Sequence, residues 1–228
     1  MKLSYYSSEK NFQEETLQLI EEICQKKKGT ISIALSGGST PEPIYKLLKS
    51  SKKLPWNRIH IFLVDERYVP INHPDSNYGM IIKALGKTQI QKLKNFTHFH
   101  TELSITACLK KYSTDLQASA KGKNAPSFDL TILGIGPDGH TASLFPETTA
   151  LTTRQPVAHT TTTAFKVKDR LTITFPVILK SKTLLILMKG QEKIPTLKEL
   201  TEGKKTATGF PAKRLLKHKD LLINFCAT

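Results

Sequence analysis

Several things are scarce in this chain of 228 residues. No apolar run approaches the roughly 20 consecutive residues that a membrane-crossing helix needs. The opening Met1-Lys2-Leu3-Ser4-Tyr5-Tyr6 carries no apolar core of the secretory kind. The cysteines Cys24, Cys108 and Cys226 are odd in number, scattered and in no CxxC pair, which argues against a disulfide frame and a thiolate zinc site. They read as buried thiols in a reducing compartment, and the cytoplasm is the expected location. A GxSxG segment is missing, against a nucleophilic serine of the α/β-hydrolase kind. No GK[ST] ends a glycine-rich loop, so there is no Walker motif. Internal repeats, low-complexity stretches and a clear linker are missing too, and the 39% apolar composition suits one globular domain over residues 1–228.

Acidic residues are few: 19 against 34 lysines and arginines, for a formal net charge of +15. Such an excess can mark a nucleic-acid binder. Here the lysines are spread along the chain, and short runs such as Lys26-Lys27-Lys28 and Lys204-Lys205 read as solvated element ends. No aromatic-interleaved basic stretch accompanies them. The expectation is no nucleic-acid partner, with the positive field drawing in a small anion.

Apolar periodicity outlines the elements. Phe12, Thr16, Leu19, Ile20, Ile23 and Cys24 share one face of a helix expected over 9–28, with Gly29 as its stop. Ile31–Leu35, Ile59–Val64, Phe128–Leu133 and Thr183–Met188 read as buried strands. Val157–Thr163 and Arg170–Phe175 favour strand through β-branched content, and Leu221–Phe225 reads as a last strand. Helices are expected after Pro41, from about Ser76, over 103–119 and from about Gln191; 121–126 reads as a surface loop. Strands alternating with helices imply an α/β fold, mainly a parallel sheet with helices on both faces. Ligands in such folds bind beyond the carboxyl ends of strands.

Two glycine-bearing segments stand at such ends. In Ser36-Gly37-Gly38-Ser39-Thr40-Pro41, two glycines permit close backbone approach and positive φ, and a helix start would offer free N–H groups. The segment suits a phosphate cradle, or equally a tight turn with Ser39 or Thr40 as helix cap. Gly134-Ile135-Gly136-Pro137-Asp138-Gly139-His140 matches GxGxxG literally, but no acidic strand end follows at the ribose-binding distance, so a dinucleotide is not expected. Its telling core is Asp138 and His140: an imidazole able to take a proton from water, and an acid able to orient it. The bland alternatives are a helix-capping histidine and a turn-forming carboxylate. Ser143 is expected inside the next helix.

Asp65-Glu66-Arg67 closes an apolar strand and suits a site mouth, with Arg67 as anion fork, or else a solvated loop. Arg170 and Lys193 are further cations at element ends, each ordinary surface taken alone. His98-x-His100 lacks a supporting carboxylate pattern, so no metal is expected.

Together these segments resemble the 6-phosphogluconolactonase family. The resemblance rests on Ser36-Gly37-Gly38-Ser39-Thr40-Pro41, Asp65-Glu66-Arg67-Tyr68-Val69-Pro70, Asp75-Ser76-Asn77-Tyr78-Gly79-Met80, and Gly134 through Pro146, in order, from about residue 5 to 219. The related glucosamine-6-phosphate deaminases share the Gly-Gly-Ser and Asp-Gly-His elements, but Arg67 and Thr141-Ala142-Ser143-Leu144-Phe145-Pro146 side with the lactonases. The resemblance implies hydrolysis of 6-phospho-D-glucono-1,5-lactone in the oxidative pentose phosphate pathway, with no metal or organic cofactor and a phosphosugar lactone as the small-molecule partner. It implies His140 as general base and Asp138 as its positioner. Gly37, Gly38, Ser39 and Thr40 would line the substrate site, Asp65 would bind substrate, Arg67 would bind substrate or steady the developing oxyanion, and Arg170 and Lys193 would meet the phosphate. The chain departs from the family in Ala164-Phe165-Lys166-Val167-Lys168, a stretch usually rich in proline, and in a tail without the usual acid. A monomer is favoured. A deaminase on the same scaffold and a non-catalytic polyanion binder are the competing readings.

Overall fold

The computed structural model describes residues 1–119 and 127–228. The stretch 121–126, expected to be a surface loop, lies outside the described residues. Seven strands form one parallel sheet: β1 (Lys2–Tyr6), β2 (Ile31–Leu35), β3 (Ile59–Leu63), β5 (Asn95–Thr97), β6 (Leu130–Leu133), β9 (Thr183–Lys189) and β10 (Leu221–Cys226), in the spatial order β1-β10-β9-β6-β2-β3-β5. Every residue of β3 and β6 is buried, as expected of strands covered on both faces. The covering helices are α1 (Glu9–Lys26), α2 (Glu42–Ser50), α3 (Asn77–Leu85), α4 (Lys87–Lys92), α5 (Ile105–Ser119), α6 (Phe175–Ile178) and α7 (Ile194–Thr201). Three further strands, β4 (Asp65–Arg67), β7 (Val157–Thr161) and β8 (Asp169–Ile173), make a small antiparallel sheet in the order β4-β8-β7.

Local signals explain the boundaries. Ser8 caps α1 by accepting from the Asn11 N–H at 3.3 Å, and Gly29 beyond the helix takes φ +75°. Phe12, Thr16, Ile20 and Cys24 bury one stripe of that helix. Ser76 caps α3 through the Gly79 N–H. Neither Ser39 nor Thr40 caps α2, contrary to expectation. Pro41 opens that helix with no side-chain cap, because the Glu42 N–H bonds the Gly38 carbonyl at 3.3 Å and Tyr45 N–H bonds Pro41 at 3.0 Å.

The sequence pattern did not point to β1, α4, β5 or α6, and Phe175, expected at the end of a strand, instead opens α6. β1 is mostly exposed or half-buried, and its order comes from pairing with β10 more than 200 residues away. One other expectation is corrected, and two alternative readings fall. Asp65-Glu66-Arg67 is a strand of the second sheet rather than a loop. Residues 134–148 are irregular, so His140 caps no helix and Ser143 lies in a turn closed by the Thr141–Leu144 bridge.

The order of winding positions the site. From β2 the chain builds outward to β3 and β5, then returns to lay β6 on the other side of β2 and continues to β9 and β10. The strand order therefore reverses between β2 and β6, a topological switch point of the kind that opens a crevice at the carboxyl ends. Both glycine segments leave those two adjacent strands.

Candidate active site

The segments leaving β2, β3, β6 and β9 build one cleft of about 380 Å³. Gly37, Gly38, Ser39, Thr40, Asp65, Arg67, His140, Arg170 and Lys193 all line it. Asp138 stands behind His140 rather than on the wall. Gly38 has φ +114°, and a Cβ on Gly37 would fall 1.8 Å from the Asn77 side-chain oxygen. The first turn thus needs glycine for conformation at one position and for space at the other. Among the described residues the Ser39 and Thr40 hydroxyls make no hydrogen bond, which leaves them available at the cleft.

The second glycine turn is held as a unit. The Gly136 N–H donates to the His140 carbonyl and the Gly139 N–H to Gly136, each at 2.9 Å. Inside it, His140 Nδ1 lies 2.5 Å from Asp138 Oδ1, which also accepts the His140 backbone N–H at 3.1 Å. Burial by itself raises the Asp138 carboxyl, but the hydrogen bonds and charge of His140 outweigh it and leave the carboxyl below its ordinary range. An ionised carboxylate only accepts, so Nδ1 carries the hydrogen, and in the neutral ring Nε2 is then the nitrogen with the bare lone pair. The ring packs against Phe145 with centroids 4.7 Å apart. Any Cβ on Gly136 would lie 2.1 Å from this ring and 2.8 Å from Asp138 Oδ1.

Strand alternation sorts the Asp-Glu-Arg triplet. Asp65 and Arg67 face the cleft and Glu66 faces away. Only 1% exposed, Glu66 accepts the backbone N–H groups of Arg67, Asn77 and Tyr78 and the Ser76 hydroxyl, which ties α3 to β4. Burial pushes its carboxyl up to about 7 against those donors. Asp65 accepts from the Ser143 hydroxyl at 2.6 Å and from Asn77 Nδ2 at 3.3 Å. Its carboxylate thereby joins β4, α3 and the histidine loop. Arg67 and Arg170 occupy partnered positions of the β4–β8 ladder. Burial, and secondarily the Arg67 charge, lowers the Arg170 pKa. Lys193 donates to the Ile135 carbonyl at 2.9 Å. Among the described residues none of these three cations has a carboxylate within 4.0 Å. A cleft with three unneutralised cations, free hydroxyls and a glycine turn can hold an anionic group beside a base.

Among the wall residues that sequence reasoning missed are Ser36, Asn77, Ser143, Phe145 and Phe165, together with the charged Lys189 and Glu192. Ser36 Oγ and Asn77 Oδ1 are buried with no hydrogen-bond partner among the described residues. Asn77 and Ser143 lay inside the family-like motifs, but nothing local in them signals a contact with Asp65. Among the described residues no group of three or more His, Cys, Asp or Glu is placed to hold a metal, and no helix is long and apolar enough to cross a membrane. His98 stacks on His100, which pairs with Glu102 at 2.7 Å.

Residues 7–223 match the model of the glucosamine-6-phosphate isomerases/6-phosphogluconolactonase family. The chain belongs to that family. Among family members, a probable 6-phosphogluconolactonase of Dictyostelium discoideum is 33% identical, over 90% of this chain and 89% of its own. The 6-phosphogluconolactonase of Thermotoga maritima is 37% identical over 77% and 76%. A crystal structure of 6-phosphogluconolactonase from Thermotoga maritima superposes with a TM-score of 0.84 at 32% identity, covering 100% of each chain. The expected mainly parallel α/β architecture is therefore the family's.

Proposed function

We propose that the chain hydrolyses 6-phospho-D-glucono-1,5-lactone to 6-phospho-D-gluconate, as the names of its relatives suggest. The observation that carries this reading is the placement of the Asp138–His140 pair on the cleft that also presents Arg67, Arg170, Lys193 and the Gly37-Gly38 turn. The phosphate is held by the cations and the glycine turn, which fixes the lactone carbonyl relative to the imidazole. Nε2 of His140 takes a proton from water as the oxygen attacks C1. Asp138 stabilises the imidazolium that forms. Collapse of the tetrahedral intermediate breaks the bond between C1 and the ring oxygen, and the imidazolium returns the proton to that leaving oxygen. No covalent enzyme intermediate is needed, because the water activated by the imidazole attacks the ester carbonyl directly.

The buried core is one connected cluster from Phe12 to Cys226, which supports a single domain over 1–228. Three free, buried thiols support a reducing compartment. Purified protein added to freshly generated lactone should accelerate its disappearance well beyond buffer alone. No acceleration, together with ammonia release from glucosamine 6-phosphate, would transfer the chain to the deaminase branch.

A further inference from the structure

The connection between β7 and β8 reaches the cleft, and Phe165 is its residue on the cleft wall. Thr162 N–H bonds the Lys168 carbonyl at 3.1 Å and Arg170 Nε bonds the Val167 carbonyl at 3.0 Å, which pins both ends of the turn. The Phe165 ring meets His140 edge-to-face, centroids 5.7 Å apart at 79°, and lies 6.1 Å from Phe145. The Arg170 guanidinium sits 5.3 Å over its face. Yet Phe165 remains 42% exposed, and of the described large apolar side chains left exposed it is the one on the cleft wall.

An aromatic ring left open beside a base and a cation implies a ligand with an apolar surface. Amides, hydroxyls and cations elsewhere on the wall recognise the charged end of a ligand; the wall's other apolar side chains, Ile135, Ala142, Phe145 and Leu187, are buried or half-buried, which leaves Phe165 as the exposed large apolar surface for the C–H faces of a sugar ring. We propose that Phe165 is a substrate-binding residue that packs on the ring of the phosphosugar while Arg170, held over the same aromatic face, meets its phosphate. Phe165 thereby covers the mouth above His140 and lets the site distinguish a phosphate carrying a ring or polyol body from a bare phosphate. Burial of the exposed part of the ring on ligand binding supplies the driving force.

This assignment rests on the lactonase reading, and its test separates the two. Phe165→Ala and Phe165→Tyr are compared with the unaltered chain in lactone hydrolysis, in calorimetric binding of 6-phosphogluconate, and in binding of inorganic phosphate. Phe165→Ala should raise KM and the 6-phosphogluconate Kd by about tenfold, and leave the phosphate Kd within about twofold. Phe165→Tyr should restore both. Equal loss of phosphate affinity would reduce Phe165 to a support for Arg170, and an unchanged 6-phosphogluconate Kd would remove it from the site; either overturns the proposal. If the unaltered chain binds 6-phosphogluconate but does not hydrolyse the lactone, the lactonase reading fails while the two Kd values still decide on Phe165.

Discussion

Arg67 and Arg170 stand directly opposite each other across the β4–β8 ladder, where like charges weaken a sheet. Burial and the Arg67 charge disfavour the Arg170 cation, Asp65, Asp75 and Glu66 offset this only in part, and an anion between the two guanidinium groups should relieve the rest. Phosphate or 6-phosphogluconate should therefore raise the melting temperature. At about a hundred times Kd the gain is about 2.7 kcal/mol, or about 5–10 °C for a chain of this size. Arg170→Leu should abolish most of that rise without lowering the melting temperature of the unliganded protein. An undiminished rise in the variant, followed by scanning fluorimetry, would place the anion elsewhere.

The Asp138–His140 contact leads to graded losses. His140→Ala should cost about 10²–10⁴-fold in kcat for the lactone, leaving the binding of 6-phosphogluconate largely intact. Asp138→Asn should also be slow, because an amide can donate to Nδ1 and turn the bare nitrogen away from the cleft. Initial rates, corrected for spontaneous lactone opening, read both. A His140→Ala variant as fast as the unaltered chain would end the general-base assignment.

Gly136 permits the pair to exist. With a Cβ 2.1 Å from the imidazole, Gly136→Ala must displace His140, Asp138 or the loop that carries them. Activity should fall by at least about tenfold, since misplacement by an ångström is costly, while far-UV circular dichroism stays that of the folded chain. Gly134→Ala is the control, because its Cβ meets nothing within 4 Å. Equal activity of the two variants would contradict this role for Gly136.

Much of the fold and the site was legible in the sequence because it is local. Buried apolar runs marked β2, β3, β6 and β9, and a turn bearing Asp138 and His140 marked the pair. Their convergence came from the rule that ligands lie beyond strand ends. What stayed hidden depends on pairing between distant segments. Asp65–Arg67 is too short for alternation to show, and only the register with β8 sends Asp65 and Arg67 to the cleft and Glu66 to α3. Ser143 was misread as helical because Thr141 through Pro146 carries no period of its own. Its place is set by the bridge between Thr141 and Leu144, by its hydroxyl on Asp65, and by its N–H on Thr172 at 3.3 Å. Phe165 carries no local signal of its place, and only the β7–β8 pairing brings it beside His140.

Ser143 carries a stability prediction from the same knot. Removing its hydroxyl deprives the buried Asp65 carboxylate of its shortest partner. Ser143→Ala should destabilise the fold by about 1–3 kcal/mol, read by urea unfolding. Ser143→Thr, which keeps the hydroxyl, should recover part of that loss. Equal destabilisation by both would point to packing rather than to the hydrogen bond.

His60 supplies the pH dependence. The ring is 8% exposed, stacks on Phe62 and shares a 2.8 Å hydrogen bond with Thr97 Oγ1. Burial, helped by the Lys94 charge, pushes its pKa from 6.5 down to about 4, with Asp115 opposing. Between those values the unfolded imidazole is protonated and the native one is neutral. The unfolded state then binds more protons, and stability rises with pH across that interval. The contribution is complete above pH 6.5 and is lost as pH falls towards 4, with a ceiling of about 3 kcal/mol. Urea unfolding at pH 7 and pH 5 of the unaltered chain and of His60→Asn isolates it. The unaltered chain should lose more stability than the variant over that drop, and equal losses would assign the pH dependence to other groups.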